Sequence, residues 1–292
     1  MSGRVEIGSG ALTAEIDLVG AELCSLKDAD GREYITDGDP RWWAHHAPLL
    51  FPIIGELAGG RYRTGGREYR MGRHGFARGS RFELVAHEAG RATFRLTDSE
   101  ETRATYPFAF ALEVHFALVG TTLSVCATVR NRGAEEMPFS LGFHPGFAWP
   151  LPGGGDRLDH RIIFVHAEPQ PIRRLTPDGL VDGSAASPVE GRVLAPTPDM
   201  FAHDALVWDE IASRSVRFEG DGGRPSLRID FPDALQLGIW QKVGAPFLCI
   251  EPWQGLADPA GFAGELRDKP GIVRLPAGEE RSFRMDVTVE PA

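Results

Sequence analysis

Three short segments place ionisable side chains beside glycine, proline and aromatic residues, where a regular strand cannot continue. They are residues 73–79 (RHGFARG), 142–147 (GFHPGF) and 249–258 (CIEPWQGLAD). Glycine and proline interrupt a strand ladder and fix the direction of the chain. We interpret the three segments as strand ends and turns that present His, Arg and Glu side chains to one ligand.

The histidines and the glutamate of these segments are suited to proton transfer. Histidine has an unperturbed pKa close to neutrality. Glu251 follows the apolar run 247–250 and precedes Pro252, so partial desolvation would raise its pKa toward that of a useful general base. Aromatic side chains such as Trp253 offer flat walls on which the C–H face of a sugar can stack, while sugar hydroxyls need polar partners. These residue types favour a polar ring ligand such as a sugar.

Structural interpretations of the same residues stay open at this point. A histidine between glycine and phenylalanine can be a hydrogen-bonded structural residue, and a Glu-Pro-Trp sequence can be a salt-bridged loop. His45 and His46 are adjacent, and on an extended segment they point to opposite faces, so we expect no shared metal ion there. The arginines between positions 61 and 81 either bind a phosphate or form a solvated hairpin face balanced by nearby glutamates.

The elements around these segments are predicted to be strands, because apolar and polar residues alternate with period two. Clusters of Gly, Asp and Pro separate them, and residues 151–159 and 176–188 are predicted loops. Only residues 197–202 and 259–261 favour a short helical turn. We therefore predict an all-β fold, a large antiparallel β-sandwich with few short helices, formed as a single domain over residues 1–292. The predicted strands are 11–18, 91–97, 111–118, 122–130, 215–218, 227–231 and 283–289.

Composition narrows the classes of partner. The 292 residues contain 41 Asp and Glu against 31 Lys and Arg, a net charge of −10. That charge repels phosphate backbones and anionic lipids, so we expect neither a nucleic-acid nor a membrane partner. Cys24, Cys126 and Cys249 are far apart and lie in apolar stretches, which predicts buried free thiols. The sequence shows no signal segment, long apolar run or nucleotide-binding glycine motif, so we expect a cytoplasmic protein without a metal or other cofactor.

Several stretches, taken in order, resemble the aldose 1-epimerase (galactose mutarotase-like) family, and within it the LacX-like branch. The resemblance spans nearly the whole chain. It implies a large β-sandwich with an open sugar cleft on one sheet and a cofactor-independent interconversion of the α and β anomers of an aldose. The matching stretches are 47–55 (APLLFPIIG), 74–78 (HGFAR), 143–147 (FHPGF), 201–207 (FAHDALV), 237–240 (LGIW) and 249–255 (CIEPWQG).

The resemblance also implies roles for individual residues. Glu251 matches the general base on the C1 hydroxyl, and His144 matches the general acid toward the ring oxygen. His74 and Asp204 match sugar-binding residues, and we expect Trp253 to contact the sugar as well. The sugar-binding arginine that galactose mutarotases carry before the first histidine is missing, because residues 55–60 read GELAGG. We expect Arg78 to take its place.

Alternative functions remain open from the sequence. The first is a sugar-binding or sensing module that keeps the fold without the chemistry. The second is a hexose-6-phosphate mutarotase, which the basic run between Arg61 and Arg81 favours because arginines bind phosphate. The third is a glycosidase using Asp204 and Glu251, which leaves the histidine segments without a role. A monomer and a homodimer are both compatible with the sequence.

Overall fold

Alternation of apolar and polar residues builds the sheets of this protein, which a computed structural model describes over residues 3–290. Along residues 110–119 and 122–131 every second side chain is buried, and the others are partly or fully exposed. This is the pattern of antiparallel strands with one face on a core. The two segments pair as a hairpin, from Thr122 opposite Val119 to Asn131 opposite Phe110.

The strands are numbered in chain order. The first twelve are β1 (Arg4–Gly8), β2 (Leu12–Asp17), β3 (Glu22–Asp28), β4 (Leu49–Leu50), β5 (Arg61–Thr64), β6 (Arg67–Arg70), β7 (Glu83–Glu88), β8 (Arg91–Thr97), β9 (Phe110–Val119), β10 (Thr122–Asn131), β11 (Met137–Phe139) and β12 (Leu141–Phe143). The next twelve are β13 (Gly146–Ala148), β14 (Arg161–Phe164), β15 (Ile172–Leu175), β16 (Val181–Ala185), β17 (Val193–Leu194), β18 (Leu206–Trp208), β19 (Ser215–Glu219), β20 (Ser226–Asp230), β21 (Gln236–Trp240), β22 (Phe247–Gln254), β23 (Val273–Leu275) and β24 (Glu280–Glu290).

Helices are short in the described residues. The α-helix α1 (Glu100–Thr105) begins with a capping box, in which Ser99 Oγ accepts from Thr102 N at 3.2 Å and Thr102 Oγ1 accepts from Ser99 N at 2.8 Å. No described helix has the length and apolar character needed to cross a membrane. The 3-10 helices are Ala58–Gly60, Ala77–Gly79, Arg157–Asp159, Pro198–Phe201, Asp221–Gly223 and Leu266–Asp268.

Two large antiparallel sheets enclose the main core. The first has the order β17-β14-β19-β20-β24-β10-β9-β8-β7, and the second the order β16-β15-β18-β21-β22-β12-β4, with β13 also paired to β22. Side chains of both sheets, such as Phe94 and Val125 from the first and Leu237 and Ile250 from the second, belong to one buried apolar cluster. The predicted all-β sandwich is confirmed.

Each of the predicted strands is present, with ends that differ by at most three residues. The predicted turn at 197–202 is confirmed by the 3-10 helix Pro198–Phe201, whereas 259–261 forms no helix. The predicted loop 176–188 is wrong in part, because it contains β16, which pairs with β15 despite its glycine and serine residues. The predicted burial of the thiols is also wrong in part: Cys126 lies on the outward face of β10 and is only half-buried.

Candidate active site

A cavity of about 500 Å³ opens on the face of the eight-stranded sheet that points away from the core. Strand β22 contributes side chains to both the core face and the cavity face of this sheet, since successive side chains of a strand point to opposite faces. Its Leu248 and Ile250 lie in the main core. Glu251 and Trp253 point the other way and line the cavity. The volume is within the range of small-molecule sites.

His144 reaches the same cavity from a break between two strands. Both β12 and β13 pair with β22, through Gly142 opposite Trp253 and Gly146 opposite Cys249. The chain leaves the ladder between them at His144-Pro145, where proline has no N–H to donate. This interruption brings the imidazole beside Glu251, with 3.1 Å between His144 Nε2 and Glu251 Oε2.

The surroundings of the two side chains shift their pKa values in opposite directions. Burial, with the charge of Asp204 added, raises the pKa of the Glu251 carboxyl well above its usual range. Burial lowers the pKa of the His144 imidazole to about 3. The 3.1 Å contact lacks hydrogen-bond geometry, so Glu251 Oε2, like His144 Nδ1, has no hydrogen-bond partner within residues 3–290. The pair is therefore a buried acid–base couple at contact distance, with the proton favoured on Glu251 at neutral pH.

Glu251→Gln should raise the free energy of unfolding of the protein at neutral pH. The carboxyl is protonated in the folded state but ionises in the unfolded state above about pH 4.3. Its raised folded-state pKa therefore contributes stability in full below that pH, and the contribution is lost as the pH rises toward the folded-state pKa. Glutamine has no such dependence. Denaturant unfolding at about pH 4 and about pH 8 should show an advantage of the variant that grows with pH; a pH-independent difference would contradict this.

His74 is held between Gly55 and Arg73. The backbone N–H of His74 donates to Gly55 O at 3.0 Å, and the N–H of Gly55 donates to His74 Nδ1 at 3.1 Å. On the other side of the ring, Arg73 Nε lies 3.3 Å from His74 Nε2, with its N–H directed at that nitrogen. Burial and the neighbouring His144 lower the pKa of His74 well below its usual value, which keeps it neutral. His74 thus lines the cavity as a neutral imidazole fixed between Gly55 and Arg73.

Asp204 and His74 share an unusual backbone conformation. Their φ angles are 76° and 66°, in the left-handed region that side chains other than glycine rarely adopt. Asp204 follows the 3-10 helix Pro198–Phe201, and its Oδ1 accepts from the N–H of Ala205 at 2.8 Å. Non-glycine residues in this region concentrate at functional sites. Here the two strained residues both line the cavity.

Three cationic side chains also line the cavity: Arg73, Arg78 and Lys242. Arg73 Nη2 lies 3.7 Å from Asp204 Oδ2. Arg78 donates from Nη2 to the carbonyl of Arg73 at 2.9 Å, and burial, with the charge of Arg73, lowers its pKa. Within the described part of the chain, neither Arg78 nor Lys242 has a carboxylate within ion-pair distance. The cavity therefore has positive charge that its own acids do not neutralise.

The basic run predicted from the sequence divides into two parts. The hairpin of β5 and β6 carries exposed arginines outside the cavity, and Arg61 there pairs with Glu68 at 3.1 Å. The interpretation as a solvated hairpin face holds for that part. It does not hold for Arg73 and Arg78, because these two residues follow β6 and line the cavity beside His74.

Three tryptophans shape the cavity walls. Trp43 stacks on the His144 ring with centroids 4.7 Å apart and planes at 29°. Trp240 meets the same ring edge-on at 5.8 Å. Trp253 lies flat over the neighbouring strands, since a Cβ on Gly142 would come within 2.5 Å of its indole and one on Gly238 within 2.6 Å. Flat apolar surfaces beside polar groups suit a sugar ring.

The segment that carries Trp43 is tied down by Glu22, the first residue of β3. Glu22 Oε1 accepts from the N–H of His46 at 2.5 Å and of Ala47 at 3.1 Å. Both imidazoles face this carboxylate, with His45 Nδ1 3.5 Å and His46 Nδ1 3.8 Å from it. Burial opposes ionisation of Glu22, but these contacts lower its pKa to about 2. The predicted opposite orientation of His45 and His46 is wrong, because they lie in a bend rather than a strand.

All six side chains singled out from the sequence line this one cavity. The sequence reasoning gave no site role to Trp43, Trp240, Arg73 or Lys242. The adjacent tryptophans at 42–43 and the arginine before His74 were the available signals. The six are His74, Arg78, His144, Asp204, Glu251 and Trp253.

A family model described as aldose 1-epimerase matches residues 3–271 of the chain. The chain belongs to the aldose 1-epimerase family. It is 32% identical over 295 residues to the plasmid-encoded protein LacX of Lactococcus lactis subsp. lactis, covering 98% of this chain and 99% of LacX. The family resemblance predicted from the sequence is therefore confirmed.

Solved structures of aldose 1-epimerase relatives have the same fold. A galactose mutarotase related enzyme from Lactobacillus acidophilus superposes with a TM-score of 0.90 at 32% identity, over 98% of this chain and 97% of that one. A galactose mutarotase-like protein from Lactobacillus casei ATCC 334 gives the same TM-score and identity, over 98% and 100%. The sandwich is thus the galactose mutarotase-like fold.

Proposed function

We propose that the protein is a mutarotase, an isomerase that interconverts the α and β anomers of an aldose by opening and closing its ring. The contact of 3.1 Å between His144 Nε2 and Glu251 Oε2, buried in a cavity of sugar size, carries this proposal. Anomerisation needs one proton removed from the C1 hydroxyl and one delivered to the ring oxygen. These two oxygens share one carbon, so the acid and the base must be neighbours.

The exchangeable proton of the pair sets the starting point of the reaction. Ring opening begins when that proton lies on His144 and Glu251 is ionised. Glu251 then accepts the C1 hydroxyl proton, His144 protonates the ring oxygen, and the bond from C1 to the ring oxygen breaks to leave the open-chain aldehyde. After rotation about C1–C2, the hydroxyl attacks the other face of C1 and both protons return. The proton count of the pair is restored, and each positioned group contributes about 10²–10⁴-fold.

The other lining residues supply binding rather than chemistry. His74 offers the edge of a neutral imidazole to the sugar, and Asp204 offers a carboxylate to a sugar hydroxyl. Trp253 and Trp240 provide apolar surface for the ring face. A glycosidase with Asp204 and Glu251 as its carboxylates is less well supported, because the direct partner of Glu251 is His144.

Anomer-resolved NMR or polarimetry on a panel of aldoses tests the proposal. We expect the protein to accelerate exchange of freshly dissolved anomer over the spontaneous rate for at least one aldose, with saturation at high sugar concentration. Saturable binding without acceleration would instead support the non-catalytic sugar-binding or sensing module.

An anionic aldose, such as a hexose 6-phosphate, is the second candidate substrate class. The unpaired charges of Arg78 and Lys242 at the cavity favour it, since hydrogen bonds between cations and phosphate are strong. We expect Arg78→Gln to lower kcat/KM for the phosphorylated aldose by about 10–100-fold, the worth of a charge-assisted hydrogen bond.

The matched neutral aldose should lose only a few-fold in the same Arg78→Gln variant, because glutamine still donates a hydrogen bond. Arg63→Gln, on the exposed hairpin, is the control and should change neither substrate. An equal loss for both sugars, or no preference for the phosphate ester in the parent protein, would rule out the anionic substrate class.

A further inference from the structure

A buried thiol lies beside the acid–base pair. One ligand atom each from His144, Cys249 and Glu251 lies within 4.8 Å of the other two. Cys249 and Glu251 are two residues apart on β22 and so share a face, and His144 enters from the strand break opposite them. The three side chains are 7%, 0% and 1% exposed, respectively.

Cys249 has no part in the proton shuttle. It does not line the cavity directly, but packs behind it against Phe247, with Trp43 and Trp240 at the edge of the same apolar cluster. Burial raises the pKa of its thiol well above the usual value, so the free protein holds it as a neutral S–H. Next to it, buried Glu251 Oε2 and His144 Nδ1 lack hydrogen-bond partners in the described residues. Buried polar atoms are costly to leave without partners.

We propose that His144, Cys249 and Glu251 form a binding site for a thiophilic divalent cation, Zn²⁺ or Cd²⁺, and that the bound ion switches the active site off. A nitrogen, a sulfur and an oxygen donor are the ligands that zinc takes. Three protein ligands leave a fourth position, which here faces the cavity and can take water.

The geometry needs only small adjustments to close around an ion. A point among three atoms separated by at most 4.8 Å lies within roughly 2.8 Å of each of them. Shifts of about 0.5–0.8 Å reach the usual zinc bonds of about 2.0–2.3 Å. As the metal–sulfur bond forms, the thiol proton leaves to water. The metal also displaces the exchangeable proton of the His144–Glu251 pair, so His144 can no longer donate a proton and Glu251 can no longer accept one.

Metal binding does not depend on the proposed mutarotase function. Only the inhibition of anomer exchange rests on that proposed function. The first experiment titrates the intact protein with Cd²⁺ and follows the ultraviolet charge-transfer absorption of a cadmium–thiolate bond. We expect one equivalent to bind, Zn²⁺ to displace it, and a chelator to remove it. Cys249→Ser and Cys249→Ala should abolish the absorption and weaken binding by at least about tenfold. The matched controls Cys24→Ser and Cys126→Ser should retain it.

The second experiment measures anomer exchange with and without Zn²⁺. Parent and control proteins should lose activity in proportion to metal occupancy and regain it with chelator, whereas the Cys249 variants should need at least about tenfold more metal. Folded parent protein without a stoichiometric thiolate band, or an unchanged band in both Cys249 variants, would overturn the site. Stoichiometric binding in a protein that never accelerates anomer exchange would leave the metal site standing and remove the proposed function.

Discussion

Glu251→Gln should lower kcat for anomer exchange by about 10²–10⁴-fold, the range for loss of one positioned general base. Glutamine keeps the size and the hydrogen-bonding oxygen of the side chain but cannot accept the C1 hydroxyl proton at neutral pH. KM should change by no more than a few-fold, because the interaction lost is one made in the transition state. The pattern expected is therefore a fall in kcat with binding largely kept.

Anomer-resolved NMR exchange at saturating sugar measures this effect after the spontaneous rate is subtracted. Glu210→Gln, a similar change at an exposed position, is the control and should match the parent. The stability of Glu251→Gln at neutral pH, expected to exceed that of the parent, shows that a slow variant is folded. A folded Glu251→Gln protein as fast as the parent would falsify the assignment of the base.

His144→Gln should lower kcat by a similar factor, about 10²–10⁴-fold. In this variant the exchangeable proton has no second site beside Glu251, so the ring oxygen would leave without an acid to protonate it. The stacking on Trp43 is also lost, and a modest rise in KM is expected with the fall in kcat. The same exchange measurement applies, with His115→Gln, on the outward face of β9, as the control.

The double variant Glu251→Gln, His144→Gln distinguishes a working pair from two separate contributions. Since one proton serves both residues, removing the second partner should cost little beyond the first, and the double variant should be about as slow as the slower single one. If the loss in kcat of the double variant equals the product of the two single losses, the residues act independently.

Much of the sandwich could be predicted because the sequence of most strands alternates apolar and polar residues, in step with the alternation of buried and exposed side chains. Strand β8 was predicted with its observed ends, and β9 and β10 within one residue. The prediction failed where burial does not alternate. The residues of β16 read VDGSA, which predicts a loop, and the strand forms through pairing with β15 rather than through an apolar face.

The residues of the pair could be predicted from their local context, but their mutual geometry could not. His144 and Glu251 are more than a hundred positions apart, and only the pairing of β12 and β13 with one strand brings them to 3.1 Å. Similarly, nothing in the sequence shows that Glu22 holds the segment of Trp43. Such contacts depend on tertiary packing, which local patterns do not encode.

The two glycines beneath the Trp253 indole have a consequence for the shape of the cavity. The indole can lie low only because Gly142 and Gly238 have no side chains beneath it, at 2.5 Å and 2.6 Å from where a Cβ would be. A single methyl group at either position would have to push the ring upward into the cavity. The depth of the cavity above Trp253 is thus set from below, by two glycines that do not line the cavity themselves. Larger residues at those two positions would narrow the cavity while leaving the identities of all six predicted site residues unchanged.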